Sequence, residues 1–187
     1  MILPIYAFGQ PVLKKKGIDI GPDFPDLSTL IENMWETMYN AHGVGLAAPQ
    51  IGQSIRLFIV DTLQLKREGE TEAKGIKQVF INAQMLEEAG EPWPYEEGCL
   101  SIPEIRGDVE RMPQLRLRYL DEEFKLHEEV FTGIEARVIQ HEYDHIEGRL
   151  FIERLKPLKR RLIQRRLDNI KKGMVDVEYR MKFATSR

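Results

Sequence analysis

The chain has 187 residues, a formal net charge of −3, 42% hydrophobic residues and one cysteine, Cys99. A chain of this length buries roughly 70% of its unfolded surface in one domain, so wholesale disorder is not expected. A lone cysteine excludes an internal disulfide and every multi-cysteine zinc finger, and it fits a reducing, cytoplasmic environment.

The sequence holds no apolar run long enough to span a bilayer, so no membrane partner is expected. Lys14, Lys15 and Lys16 follow the apolar opening, which is the reverse of a secretory signal peptide. The net charge hides an asymmetry. Residues 149–172 carry a balance of +8, whereas residues 1–148 carry −12. The C-terminal stretch therefore favours a polyanion that the rest of the chain does not.

In chain order, Pro22 to Pro25 reads as a turn, and Thr29 with Glu32 has capping-box spacing. Leu30, Ile31, Met34, Trp35 and Met38 recur at helical spacing, which predicts a helix to about Ala41, ended by Gly43. Gly43 to Gln50 is too broken by glycine and proline for a helix interior. Ile55 to Thr62 reads as a strand, 67–77 as a hairpin loop, Gln78 to Asn82 as a short strand, and Glu91 to Tyr95 as a turn. Leu115–Leu120 and Phe124–Phe131 suggest an antiparallel pair. Thr132 and Glu135 form a second capping-box pattern, opening a helix through His145 that ends near Gly148. Pro157 opens a last helix to Lys172, closed by Gly173. Its Leu158, Leu162, Ile163, Leu167 and Ile170 are expected to pack on the body. The tail alternates, with Val175, Val177, Tyr179 and Met181 on one face, and reads as a terminal strand. No repeat or linker interrupts the chain, which reads as one α+β domain.

The strongest chemical signal is His141-Glu142-Tyr143-Asp144-His145. Residues four apart share a helix face, so both imidazoles can hold one cation with Glu142 beside the open position. Two ligands are too few for a catalytic site, which needs three and water. No histidine follows His145, so the third is either a downstream Glu153 or Glu178, or the upstream Cys99 between Gly98 and a Ser-Ile-Pro turn.

Three segments, GVGLAAPQ (Gly43–Gln50), EGCLS (Glu97–Ser101) and QHEYDH (Gln140–His145), resemble in order the three signature motifs of the peptide deformylases. The resemblance extends to the opening ILPIYAFGQPVL. It implies antiparallel sheets around a central HExxH helix, followed by a C-terminal helix and terminal strand. It also implies that Cys99, His141 and His145 ligate one divalent metal ion, Fe²⁺ in cells, with Zn²⁺, Ni²⁺ or Co²⁺ also active. Glu142 would be the general acid/base, and Gln50 with the Leu100 N–H the oxyanion hole. Val44, Ile134 and Val138 would line a methionine pocket. Gly45 and Gly98, with Gly43, would let a peptide backbone approach. Glu97 and Arg106 match a supporting charged pair, and Asp144 is a candidate partner for a ligand histidine.

The implied reaction is hydrolysis of the N-formyl group of formyl-methionyl peptides on nascent chains, releasing formate. A thiolate ligand suits iron or zinc rather than magnesium or calcium. The basic 158–172 segment suggests ribosome contact, with no DNA partner. Two alternatives stand beside this reading: a small HExxH metalloendopeptidase with a downstream Glu ligand, and a non-enzymatic ribosome- or RNA-binding domain.

Overall fold

The computed structural model describes residues 1–65 and 75–185. Its strands and helices run β1 (Ile5–Tyr6), α1 (Leu27–Asn40), β2 (Gly45–Ala47), β3 (Leu57–Asp61), β4 (Lys77–Ala89), β5 (Trp93–Cys99), β6 (Ile102–Arg111), β7 (Gln114–Leu120), β8 (Leu126–Thr132), α2 (Gly133–Ile146), α3 (Pro157–Lys171) and β9 (Met181–Lys182). Short 3₁₀ turns at Ala48–Ile51 and Phe151–Arg154 matter for the site.

The apolar strand LFIVD is buried at every position because it sits inside a sheet covered on both faces. That sheet is antiparallel, in the order β2-β3-β4-β7-β8. One face packs α2: Phe58, Phe80, Leu117, Tyr119 and Phe131 meet Ala136, Ile139 and Ile146. Phe80 anchors this layer, 4.8 Å from the Phe58 ring and 4.6 Å from Tyr119. The other face packs Leu46, Leu57, Ile59 and Ile81 against Ile31, Met34 and Met38 of α1. The hairpin β5–β6 forms a separate two-stranded antiparallel sheet. Its Ile102, Ile105 and Val109 join Phe151, Ile163, Leu167 and Ile170 in a second core that seats α3. Together these make one compact α+β domain of three helices and mainly antiparallel sheet. Among the described residues no helix is long and apolar enough to cross a membrane.

Strands β3, β7 and β8 and helices α2 and α3 lie where the sequence predicts them, and β7 pairs β8 antiparallel, whereas β2, in the glycine- and proline-broken segment Gly43–Gln50, is unforeseen. Several details differ. Helix α1 starts at Leu27 after Asp26, whose φ is 54°, so Thr29 and Glu32 lie within the first turns and not at a cap. Thr132 is the N-cap of α2, with no capping hydrogen bond from its side chain. The short strand at Gln78–Asn82 is the start of the 13-residue β4. Asn82 has φ 52°, and register shifts follow Ile81 and Met85, so the alternation is lost midway. The turn at Glu91–Tyr95 gives way to β5 at Trp93. Pro94 is tolerated there because β5 pairs only with β6. Strand β6 is unforeseen. Its inward positions 105, 107, 109 and 111 include Gly107 and Arg111, which disguise the alternation.

In α3, Leu158 and Leu162 are each 70% exposed and do not pack on the body; only Ile163, Leu167 and Ile170 do. The tail keeps its alternating burial from Val175 to Met181, but only Met181–Lys182 form a ladder, parallel to β1. The rest, which bends at Val175 and again at Glu178 and Tyr179, lies outside any strand. The loop expected over 67–77 lies largely outside the described residues, and Lys77 already belongs to β4.

Candidate metal centre and active-site cleft

Helix α2 places His141 and His145 one turn apart, with ring centroids 5.1 Å from each other. The hairpin β5–β6 brings Cys99 to them from 42 residues upstream. One donor atom from each of Cys99, His141 and His145 lies within 4.8 Å of the others. Cys99 Sγ is 3.3 Å from His145 Nε2. A tetrahedral ion with a metal–sulfur bond of about 2.3 Å and a metal–nitrogen bond of about 2.0 Å separates two such ligands by about 3.5 Å. The donor set therefore suits a divalent ion of zinc or iron size. Burial, then the His141 charge, push the His145 pKa down to about 3, which leaves a neutral imidazole with a free lone pair. Its Nδ1 is buried without a partner among the described residues.

The remaining carboxylates divide by surroundings. Glu142 is buried, and burial pushes its pKa up to about 7, the range of a proton carrier at neutral pH. Its Oε2 has no hydrogen-bond partner among the described residues. Glu97 is equally buried, but hydrogen bonds from His141 and Arg111 outweigh desolvation and hold its pKa at about 2. It accepts from Arg111 Nε at 2.6 Å and Nη2 at 3.0 Å, and lies 3.5 Å from His141 Nδ1. Arg106, the partner expected for Glu97, pairs instead with Glu96 at the surface, 3.0 Å away. Successive strand residues face opposite sides, so Glu96 points out where Glu97 points in. Asp144 holds no ligand histidine either. It accepts from Arg111 and from both prongs of Arg154. Of the two acids, Glu97 is the one within reach of His141 Nδ1, where a carboxylate can orient the ring.

Gln50 sits in the 3₁₀ turn after β2. Its Oε1 accepts from the Ala47 N–H at 2.9 Å, which fixes the amide and points Nε2 at Ser101 Oγ (3.2 Å) and Cys99 Sγ (3.5 Å). Leu100 occupies the turn between Cys99 and Ile102. A cleft of about 580 Å³ opens over these groups, lined by Val44, Gly45, Gln50, Gly98, Cys99, Leu100, Ile134, Val138, His141 and Glu142. Of the predicted site residues only His145 is absent from the lining; it stands behind the cleft, 1% exposed. Gly45 is required by proximity: a Cβ there would fall 2.5 Å from Glu142 Oε1. Glu153, an alternative ligand, is taken by Lys14 at the surface, and Glu178 lines the cleft without joining the three-donor set.

The sequence of residues 2–161 matches the family of polypeptide deformylases. The chain belongs to that family. Peptide deformylases of Christiangramia forsetii and Flavobacterium johnsoniae are each 53% identical to it, covering 100% of this chain and 98% of theirs. The crystal structure of a Legionella pneumophila peptide deformylase superposes with a TM-score of 0.79 at 37% identity, over 91% of this chain and 96% of that one. The Thermotoga maritima enzyme gives 0.74 at 39% identity, over 84% and 99%. The family is metal-dependent and hydrolytic, and the Cys-His-His cluster is the place in this deformylase fold where an ion fits. Two contributors escaped the sequence. Arg111 was detectable as a charge in phase with the buried face of β6. Tyr179, whose hydroxyl donates to the Leu100 carbonyl at 2.8 Å, carried no signal beyond the alternation of the tail.

Proposed function

We infer that this cleft removes the N-formyl group from the formyl-methionine of nascent polypeptides and releases formate, and that residues 1–187 act as one catalytic unit in the cytoplasm. The observation carrying the reading is the convergence of Cys99, His141 and His145 beside a buried Glu142 whose Oε2 has no hydrogen-bond partner among the described residues. Cys99, His141 and His145 would hold one divalent ion, Fe²⁺ in cells, with Zn²⁺, Ni²⁺ or Co²⁺ as working substitutes. When bound, the ion supplies Lewis acidity and brings the pKa of water toward neutrality.

The protein's own groups do the rest. Glu142 takes a proton from the attacking water and returns it to the leaving amine. Gln50 Nε2 and the Leu100 N–H donate to the oxyanion that develops on the formyl oxygen. Losing one such donor typically costs about 2.7–4 kcal/mol. Gln50 suits the role because it donates without adding a charge, and its amide is already fixed by Ala47. Val44, Ile134 and Val138 offer the methionine side chain an apolar wall. Gly45 and Gly98 leave room for its backbone.

The basic face of α3 supports weak, salt-dependent contact with the ribosome. Arg160, Arg161 and Arg165 stand exposed beside the uncovered Leu158 and Leu162. The deciding experiment is formate release from a formyl-methionyl tripeptide by protein loaded with Fe²⁺, Ni²⁺ or Co²⁺. Absence of release with all three would defeat the reading.

A further inference from the structure

Beyond the residues matched by the family, the chain returns to the cleft. The segment after α3 is fixed at both ends. The Gly173 N–H donates to the Ile170 carbonyl at its start, and β9 pairs with β1 at its end. Gln10 Nε2 adds a bond to the Phe183 carbonyl at 2.6 Å. Between these anchors Tyr179 lines the cleft and donates its hydroxyl to the Leu100 carbonyl at 2.8 Å.

That carbonyl belongs to the turn joining Cys99 to Ile102. Besides the Cys99–Ile102 pairing and the packing of the Leu100 side chain, two other hydrogen bonds reach the turn, the Phe8 N–H on the Ser101 carbonyl at 2.8 Å and Gln50 Nε2 on Ser101 Oγ at 3.2 Å. Both act on Ser101. Among the described residues, Tyr179 supplies the side-chain hydrogen bond on the peptide plane that leaves Leu100. A peptide unit is rigid, so holding its carbonyl sets the whole plane. The preceding plane, which carries the Leu100 N–H, is then bounded by Cys99 in the ladder on one side and by the held plane on the other.

We propose that Tyr179 is a positioning residue: its hydroxyl fixes the Leu100–Ser101 peptide and thereby aims the Leu100 N–H at the oxyanion. This rests on the reading of that N–H as an oxyanion donor. A loosened donor still admits substrate but fits the developing charge less well, so the loss falls on kcat and not on KM. Deleting such a donor outright costs about 10²–10³-fold, and loosening it should cost about tenfold.

The test is Tyr179→Phe in the full chain, which removes one oxygen and keeps the ring. Expected are a kcat for a formyl-methionyl tripeptide lower by about tenfold, KM within about twofold, unchanged metal content and an unchanged unfolding midpoint. In the zinc-loaded protein the Leu100 amide should show a lower NMR order parameter than in the parent. An unchanged kcat overturns the proposal. So does a rise in KM alone, which would make Tyr179 only a wall of the cleft, or a loss of metal, which would place its effect on Cys99. If the parent itself releases no formate, the deformylase reading fails separately. An unchanged Leu100 order parameter in the variant would still refute the positioning link.

Discussion

Gly45→Ala tests the active-site geometry with one carbon atom. The added Cβ would lie 2.5 Å from Glu142 Oε1 and 2.8 Å from its Cγ and Cδ, where ordinary contact begins near 3.4 Å. The helix bearing Glu142 is packed against the main sheet, so the carboxylate is what yields, by about 1 Å. A misplacement of that size costs about 10²-fold in rate, or about 2.7 kcal/mol in the transition state. Overpacking adds roughly 1–3 kcal/mol of lost stability. The three atoms nearest the new carbon all belong to Glu142 and none to Cys99, His141 or His145, so metal content should match the parent. The assay is formate release under steady-state conditions, beside Glu142→Ala and the double variant. Glu142→Ala should keep metal and lose most turnover; a rate within about tenfold of the parent, about 1.4 kcal/mol, rules Glu142 out as the acid/base. If Gly45 matters only by making room for Glu142, the double variant is no slower than Glu142→Ala. Additive losses, or a Gly45→Ala rate within about threefold of the parent, would refute the reasoning.

Cys99→Ala should abolish tight metal binding and activity together, measured by elemental analysis of anaerobically purified protein; retained metal would favour a downstream Glu ligand. Arg111→Met leaves Glu97 and Asp144 each short of a guanidinium in a buried site and should cost about 3–5 kcal/mol in urea unfolding. A cost below about 1 kcal/mol would mean that the remaining arginines satisfy both acids. The His127 hydrogen bond and the N–H groups of Lys125 and Glu123 hold the Asp121 carboxyl below its ordinary value. A depressed carboxylate stabilises the fold above its unfolded pKa, about 3.9, and loses that contribution as pH falls through the folded value. The stability gap between parent and Asp121→Asn should therefore widen from below about pH 3 to above about pH 5; a constant gap contradicts the coupling. Charge reversal at Arg160, Arg161 and Arg165 should reduce co-sedimentation with ribosomes at low salt, and equal pelleting would remove α3 as the contact.

How far the sequence reveals this molecule follows from the range of its interactions. His141 and His145 are four residues apart on one helix, so the face they share follows from helical geometry alone, with Glu142 beside it. Helix α1 shows by its amphipathic period, and α2 by the capping-box pattern at its start and the glycine at its end. Strand β6 hides because Gly107 and Arg111 occupy inward positions, where a pattern reader expects aliphatic residues. The pairing of Glu97 shows the same limit. Arg106 and Arg111 are both plausible partners by distance along the chain, and only the pleat decides between them. Leu158 and Leu162 fit an inward stripe by spacing, yet α3 rests on a narrow contact and leaves both outside. Tyr179 reaches Leu100 across 79 residues of sequence, through a tail whose path depends on the pairing of β9 with β1.

The buried charges explain how donors from two separate elements keep a common geometry. From Arg154 the network runs to Asp144, then Arg111, Glu97 and Arg137, alternating in sign. It alternates between elements as well. Arg111 and Glu97 lie on the hairpin β5–β6, Asp144 and Arg137 on α2, so the network crosses the boundary between hairpin and helix at Asp144–Arg111 and again at Glu97–Arg137. Cys99 stands two residues beyond Glu97, and His145 one residue beyond Asp144. An apolar interface of equal area would stabilise these elements at lower desolvation cost, but it would tolerate sliding. Guanidinium–carboxylate pairs are directional: Arg111 forks Glu97 at 2.6 and 3.0 Å within the hairpin, and the two crossings are Arg111 to Asp144 at 2.9 Å and Arg137 to Glu97 at 3.5 Å. The position of Cys99 relative to both histidines is therefore set by hydrogen-bond geometry before any ion binds. Arg111, which touches neither substrate nor ion, becomes the residue on which the registration of the two halves of the centre depends.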